Sequence, residues 1–272
     1  MKKFHRQSMT AMIMRASLTL ETYSDIFKPI ITSTIRLPVH QHAAVSRKNR
    51  LMTDELRKYG AAILCGGKSL RMGFDKSITL VSRTGRPLLP AQAEELARHF
   101  GEVALITNNT AKLSQVPELS GFRQLTDLHP GAGPAGGIHT ALKGMPHKPL
   151  FIMACDMPVI DWRVIDRMRT MLEAQGADIV APRHGDLREP LYAFYGPSVE
   201  PVFEAGLAEG LRKVRLFYDS LKTCYLELED EDLKSGVFIN LNTPADVRKE
   251  GLPLPEAALK NSRLIHGEDR RK

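Results

Sequence analysis

The chain has 272 residues, of which 43% are hydrophobic and 25% are charged, a balance typical of one large α/β domain with extensions. No apolar run approaches the roughly 20 residues that cross a bilayer, so we expect no contact with a membrane. The net charge of +7 lies in residues 1–58, with 11 basic and 4 acidic residues, and the neutral remainder excludes a basic nucleic-acid-binding domain.

Residues 1–58 show neither helical nor strand periodicity and contain few acidic residues. A targeting segment, a basic interaction arm and a disordered extension all share this composition. We favour the disordered extension, because Met52 begins a short polar stretch that leads naturally into the first strand. The expected organisation is an extension over 1–58, a folded domain over 59–250 and a loose tail over 251–272.

The most informative stretch covers residues 60–76. It starts with a small apolar run, Ala61 to Cys65, which is typical of a buried parallel strand. Gly66 and Gly67 follow, and glycine amides can approach and bind an anion. Cationic side chains that could add to phosphate binding come next, namely Lys68, Arg71 and Lys76. A P-loop is excluded, because the position five residues before Gly67 is an alanine and not a glycine.

The run Leu64-x-Gly66-Gly67-x-Ser69-x-Arg71-Met72-Gly73-x-Asp75-Lys76 resembles the N-terminal signature of nucleotidyltransferases that activate sugars and cofactors. Within that group it is most similar to the molybdenum cofactor guanylyltransferases of the molybdopterin nucleotidyltransferase family. Later segments extend the likeness over about residues 59–250.

Hydrophobic patterns predict an alternation of strands and helices. Strands are expected over 102–107, 123–126, 148–156, 178–182 and 190–195, and helices over 88–100, 162–175 and 207–221 and from residue 138. A last strand is expected at Phe238–Asn242, followed by a helix that starts at Thr243-Pro244. This alternation predicts a Rossmann-like three-layer α/β sandwich with a mostly parallel sheet, the nucleotidyltransferase type of fold.

Residues 131–136 offer a competing interpretation. The run Gly131-Ala-Gly133-Pro-Ala-Gly136 matches the dinucleotide-binding fingerprint, and Asp156 follows about twenty residues later, as in NAD-binding oxidoreductases. We regard the match as accidental, because polar residues and a proline at 127–130 interrupt the strand that should run into the first glycine. The resemblance instead implies a loop beside the nucleotide. His129 and His139 are expected in this loop and on a helix surface, without a metal.

The strand predicted over 148–156 ends in Asp156. Ligands of parallel α/β sheets lie beyond the carboxyl ends of the strands, where an aspartate can hold a Mg²⁺ ion that bridges phosphate oxygens. A turn or helix-capping aspartate is the structural alternative. The run Cys155-Asp156-Met157-Pro158 resembles the family's metal-binding strand end.

The resemblance implies transfer of GMP from GTP to molybdopterin, or to its molybdenum-loaded form, with release of pyrophosphate. The pterin's terminal phosphate is itself the nucleophile, so the protein's work is positioning and charge neutralisation. The resemblance implies that Arg71, Lys76 and Asp156 are catalytic and that Asp156 binds Mg²⁺. The implied nucleotide-binding residues are Leu64, Cys65, Gly66, Gly67, Lys76, Thr107, Asn109, Asp127, Gly133 and Asp156. The implied acceptor-side residues are Glu189, Asn240 and Asn242.

Alternatives within the same chemistry stay open. A cytidylyltransferase acting on the same pterin and a sugar-phosphate nucleotidyltransferase would share this mechanism, although Gly66-Gly67 resembles the guanine-using branch. A basic segment at Arg212, Lys213 and Arg215 is either a solvated face or a contact to the pterin phosphate. Whether molybdenum-insertion or molybdoenzyme-chaperone proteins are partners is also open.

The three cysteines, Cys65, Cys155 and Cys224, are widely spaced and odd in number. This usage argues against a disulfide framework and against a zinc site. It fits a reducing compartment, so we expect a cytoplasmic protein.

Overall fold

The computed structural model describes residues 54–66 and 80–254. Three predicted site residues, Gly67, Arg71 and Lys76, lie outside this part of the chain, as do residues 1–53 and 255–272. Most of the predicted extension and most of the predicted tail therefore stay predictions, although Leu56, inside the predicted extension, is fully buried in the core. No helix in the described part is long and apolar enough to cross a membrane.

Eight strands and seven α-helices with defined limits lie in the described part of the chain, and residues 54–56 are also helical. The strands are β1 (Gly60–Leu64), β2 (Glu102–Thr107), β3 (Arg123–Thr126), β4 (Leu150–Ala154), β5 (Ile179–His184), β6 (Leu187–Arg188), β7 (Tyr192–Tyr195) and β8 (Thr223–Glu227). The helices are α1 (Leu88–His99), α2 (Thr110–Leu113), α3 (Pro134–Gly144), α4 (Trp162–Gln175), α5 (Val199–Ala208), α6 (Asp230–Leu233) and α7 (Pro244–Lys249). Short 3₁₀ helices lie at Pro117–Leu119 and Val214–Ser220.

All eight strands form one sheet in the order β3-β2-β1-β4-β7-β5-β6, with β8 paired to β5. The pairs β3–β2, β2–β1, β1–β4 and β5–β8 are parallel, whereas β7 runs antiparallel to both β4 and β5. The central strands β1 and β4 are buried along their whole length, which explains their continuous apolar runs.

Helices cover both faces of the sheet. On one face, α1 and α4 pack against alternate strand residues such as Ile63, Phe151 and Met153. On the other face, α3 and α5 pack against the intervening residues, such as Ala62 and Ile152. The predicted Rossmann-like three-layer sandwich with a mostly parallel sheet is confirmed.

Helix ends follow the local sequence signals. Asp161 precedes α4, and its carboxylate accepts hydrogen bonds from the backbone N–H groups of Arg163 and Val164. Gly176 ends that helix in the left-handed conformation, with φ of 53°. At α7, Thr243 and Asp246 form a reciprocal capping box, so the predicted helix start at Thr243-Pro244 is confirmed.

Two predicted elements are wrong. No helix spans 207–221, because α5 ends at Ala208 and Gly210 turns the chain with φ of 90°. The basic residues 212–215 therefore do not share a helix face, and strand β8, which pairs with β5, was not predicted. The predicted strand Phe238–Asn242 is irregular instead, since Gly236 turns the chain with φ of 85°.

Candidate active site

The carboxyl ends of the parallel strands β1 to β4 meet at one edge of the sheet. Leu64, the last residue of β1, pairs with Ile106 in β2 and with Ala154 in β4. Beyond that pair, the backbone N–H of Cys65 donates to the Ile106 carbonyl at 2.7 Å, and that of Cys155 donates to the Leu64 carbonyl at 3.1 Å. This edge therefore places Gly66 and Asp156 on neighbouring strand ends, as the sequence predicts.

Asp127 follows β3 and organises the glycine loop. Its Oδ1 accepts hydrogen bonds from the His129 backbone N–H at 2.9 Å and from the Thr140 hydroxyl at 3.3 Å. A β-carbon added to Gly136 would lie 3.1 Å from this oxygen, so the first turn of α3 approaches the carboxylate closely. Gly133 precedes that turn with φ of 67°. Asp127 thus fixes the loop as well as lying at the predicted nucleotide edge.

The residues at the end of β2 form local hydrogen bonds and approach Gly66. The buried Thr107 hydroxyl accepts a hydrogen bond from the Asn109 backbone N–H at 3.1 Å, and the Asn109 side chain caps α2 through the Lys112 N–H, also at 3.1 Å. Both predicted nucleotide residues are therefore engaged in local structure. Asn108 lies within the 107–109 segment that the resemblance places at the nucleoside, and a β-carbon added to Gly66 would lie 3.4 Å from its side-chain Nδ2.

A second group of polar side chains lies near Asp156. The Glu189 carboxylate accepts hydrogen bonds from the Leu191 N–H at 3.0 Å and from the Asn240 side chain at 3.2 Å. Burial raises the pKa of Glu189, and the negative charge of Asp156 raises it further. The structure therefore brings together Asp156 and two of the three predicted acceptor-side residues. The backbone N–H of the third, Asn242, donates to Asp246.

The backbone around Asp156 is held from two directions. Its carbonyl accepts a hydrogen bond from the Leu241 N–H at 2.9 Å, so the irregular 238–242 segment docks directly on the strand end. The Met157 carbonyl accepts one from the buried Gln92 side chain at 2.7 Å. Gln92 was missed as a site residue because its position in α1 looks like an ordinary core position.

Oxygen ligands predominate in this group, and oxygen is what Mg²⁺ prefers in proteins. A carboxylate at the strand end, with a second carboxylate and an amide beside it, fits a hard divalent cation. Burial, together with the charge of Asp156, disfavours the ionised form of Glu189, and a cation bound beside the two carboxylates would offset this cost.

The expectations for the two histidines require correction. His139 is not on the helix surface, since it is only 1% exposed. Its Nδ1 lies 2.9 Å from Nε2 of His129 in the glycine loop, and its Nε2 lies 3.1 Å from the Glu200 carboxylate on α5. Burial lowers the pKa of His139, although Glu200 favours its protonated form. This chain of contacts ties the glycine loop to α5.

His139, Glu200 and Glu204 present ligand atoms within 4.8 Å of one another, a spacing that the sequence did not reveal. The Lys143 ammonium lies 3.8 Å from Glu200 and 2.5 Å from Glu204, and it neutralises the two carboxylates. Nearby, a cavity of about 270 Å³ is lined by His129, Pro130, Gly131, Ala132 and Arg212.

Residues 61–223 match the family described as the MobA-like NTP transferase domain. The chain belongs to this family. The match runs from β1 to the first residue of β8, so it includes the glycine loop, Asp156 and Glu189, whereas Asn240 lies beyond it.

Curated relatives and a solved structure match this chain over most of their own length. A molybdenum cofactor guanylyltransferase of Syntrophotalea carbinolica is 36% identical over 196 residues, covering 71% of this chain and 90% of the relative. A protein of Methanothermobacter thermautotrophicus named "Probable molybdenum cofactor guanylyltransferase" is 32% identical over 191 residues. The match covers 69% of this chain and 96% of the relative. The crystal structure of molybdopterin-guanine dinucleotide biosynthesis protein A from Archaeoglobus fulgidus is 28% identical, with a TM-score of 0.60, and covers 75% of this chain and 99% of that chain.

Proposed function

We propose that this family member is a Mg²⁺-dependent molybdenum cofactor guanylyltransferase, which transfers GMP from GTP to molybdopterin, or to its molybdenum-loaded form, and releases pyrophosphate. The observation that carries the proposal is the grouping of Asp156, Glu189 and Asn240 one strand away from Gly66. The names of the relatives at 32% and 36% identity support the choice of substrates.

The metal is expected at Asp156, with Glu189 beside it. When bound, Mg²⁺ neutralises phosphate charge and orients phosphate oxygens. The chain's own contribution is to hold these carboxylates in place. Glu189 is oriented by the Leu191 N–H and Asn240, and the Asp156 backbone is fixed by Leu241. A site held in this way needs little reorganisation as charge develops in the transition state.

The nucleotide is expected on the other half of the edge. Gly66 and the predicted loop after it would face the triphosphate, with Arg71 and Lys76 neutralising the leaving pyrophosphate. The glycine loop held by Asp127 would close beside the nucleoside. The terminal phosphate of the pterin attacks the α-phosphorus, so the protein has to align two substrates and requires no side-chain nucleophile.

The acceptor is expected on the Glu189 side. Glu189 lies in the turn that leads into β7, and β7 is next to β4 on the side away from β1, so the two substrates would meet over Asp156. The cysteine usage is the basis for expecting a cytoplasmic enzyme.

Calorimetry with GTP, CTP and NAD, each with and without Mg²⁺, tests the proposal. We expect GTP to bind in a Mg²⁺-dependent manner and CTP to bind weakly. Asp156→Asn should abolish the Mg²⁺ dependence and most turnover, whereas Asp219→Asn, at an exposed residue of the Val214–Ser220 turn, should behave as wild type. Preference for CTP would make the enzyme a cytidylyltransferase. Binding of NAD alone would refute the nucleotidyltransferase proposal.

A further inference from the structure

Two cysteines lie side by side at the base of the candidate site. Strands β1 and β4 are parallel and in register up to Leu64 and Ala154, so Cys65 and Cys155 are the next pair along the two chains. Side chains alternate between the faces of a sheet. Both cysteines belong to the apolar cluster on the α1 and α4 face, so their thiols point to the same side.

The two thiols are close enough to react with one another. Both residues are buried, with only 6% and 8% of their surface exposed, and the Cys65 thiol donates to the Ile63 carbonyl at 3.4 Å. Adjacent strands are about 4.8 Å apart, which is within the range of about 4.4 to 6.8 Å between the Cα atoms of a disulfide. In the described part of the chain the third cysteine, Cys224, lies on β8, and it is separated from this pair by β7 and β5.

We propose that Cys65 and Cys155 form a site of reversible oxidative modification, at which a peroxide converts the two thiols into a disulfide that joins the ends of β1 and β4. One thiol, as its thiolate, attacks a peroxide oxygen, giving a sulfenic acid and releasing water once the leaving hydroxide is protonated. The second sulfur then displaces hydroxide from the sulfenic acid and forms the S–S bond, and the hydroxide takes up a proton as a second water. Overall, two thiols and one hydrogen peroxide give one disulfide and two waters.

The position of this pair connects it to the site. Gly66 and Asp156 each follow one of the cysteines directly in the chain. The two sulfur atoms are not bonded in this structure, and a disulfide would bring them to about 2.05 Å from one another inside the packed core. Closing the bridge would therefore shift the two strand ends and move both residues. Since the site depends on their placement, the disulfide form should bind the nucleotide more weakly.

Burial sets the rate of this reaction. It raises the pKa of the Cys65 thiol, and the neighbouring Cys155 raises it further, so little reactive thiolate is present at neutral pH. Oxidation should accordingly be slower than that of the more accessible Cys224, and a small oxidant such as hydrogen peroxide should react where a bulky one does not.

The test uses the full chain carrying Cys224→Ser, which leaves the pair as the remaining thiols. The protein is treated with one equivalent of hydrogen peroxide, denatured, and assayed for free thiols and for mass. We expect both thiols to be lost together with a decrease of 2 Da, a cross-linked peptide containing Cys65 and Cys155, and full recovery with a reductant. Loss of one thiol with a gain of oxygen, disulfide-linked dimers, or retention of both thiols would overturn the proposal.

Nucleotide binding provides the second readout, and it rests on the proposed function. Oxidation of the Cys224→Ser protein should weaken GTP binding by about tenfold or more, a change readily resolved by calorimetry, and reductant should restore it. In a Cys155→Ala, Cys224→Ser protein, the GTP affinity should not respond to peroxide. If the reduced protein binds no GTP while the disulfide still forms, the proposed function fails and the modification site stands. If the disulfide forms and the GTP affinity is unchanged, the proposed link to the site is refuted.

Discussion

The Thr140 hydroxyl connects Asp127 to the glycine loop, and its removal gives a sharp test of how the site is held. This residue of α3 is 1% exposed. Its Oγ1 accepts a hydrogen bond from the Leu128 N–H at 3.0 Å, and it lies 2.9 Å from the Gly136 carbonyl and 3.3 Å from Asp127 Oδ1, to which it can donate. Thr140→Val keeps the shape of the side chain and removes all of these contacts.

The expected loss in the free energy of unfolding is about 1 to 2 kcal/mol. One net hydrogen bond contributes about 1 kcal/mol, and a donor left without a partner adds to the cost. The estimate stays at the lower end because Leu128 is 55% exposed, so water can reach this part of the loop. Urea denaturation of the wild type and the variant measures the difference.

Thr140→Ser is the matched control, because it keeps the hydroxyl and loses one methyl group. It should cost about 0.8 kcal/mol or somewhat more from lost burial. The two variants are thus similar in stability, but GTP binding should separate them. Thr140→Val should weaken binding because the loop and Asp127 are no longer tied together, whereas Thr140→Ser should bind as wild type. A valine variant with wild-type stability and affinity would refute this account of the loop.

Three further predictions concern the site. Glu189→Gln removes a carboxyl group whose pKa is raised above its ordinary value of 4.5. The folded wild type therefore loses stability as the pH rises from that value through the folded-state pKa, and the variant does not. Urea denaturation at pH 5 and pH 8 should show a larger advantage for the variant at pH 8, and an equal difference at both would contradict the assignment. Gly136→Ala should destabilise the loop by about 1 to 3 kcal/mol through overpacking, since its β-carbon would lie 3.0 Å from the His129 carbonyl, whereas Gly137→Ala meets only a flexible leucine side chain at 3.3 Å. Thermal melts of both variants decide this point, and equal melting temperatures would count against it. Lys76→Ala should lower kcat/KM by an amount equivalent to about 2 to 4 kcal/mol, and a much smaller effect in steady-state kinetics would assign Lys76 a structural role.

Much of the fold was predictable because the sequence carries strong local signals. Strands β2 and β3 and helix α4 have the predicted limits, since each is bounded by residues with clear preferences, such as Asp161 and Gly176 around α4. Helix α3 starts at Pro134 instead of residue 138, because the Gly-Pro pair begins the helix directly. The error over 207–221 arose because apolar spacing continues past Ala208, while Gly210 breaks the chain.

Different kinds of reasoning predicted different parts of the candidate site. Asp156 was predicted from its place at the end of a strand, and β4 brings it to the edge that Leu64 also reaches. Asp127, Glu189 and Asn240 were predicted from the family resemblance. The hydrogen bonds of His139, Thr140 and Gln92 were not predictable, because each depends on a partner that another element supplies. The pairing of Cys65 with Cys155 was missed for the same reason, since it depends on the register of β1 against β4.

The antiparallel direction of β7 affects how the acceptor specificity of such an enzyme could be altered. Because β7 is antiparallel to β4, the segment that precedes it lies at the same edge as the segments that follow the parallel strands, and this brings Glu189 to Asp156. The proposed acceptor side thus combines the β5–β6 hairpin and the turn into β7 with Asn240, separately from the elements around Gly66. Changes in these two segments could alter the acceptor preference while the nucleotide half stays unchanged.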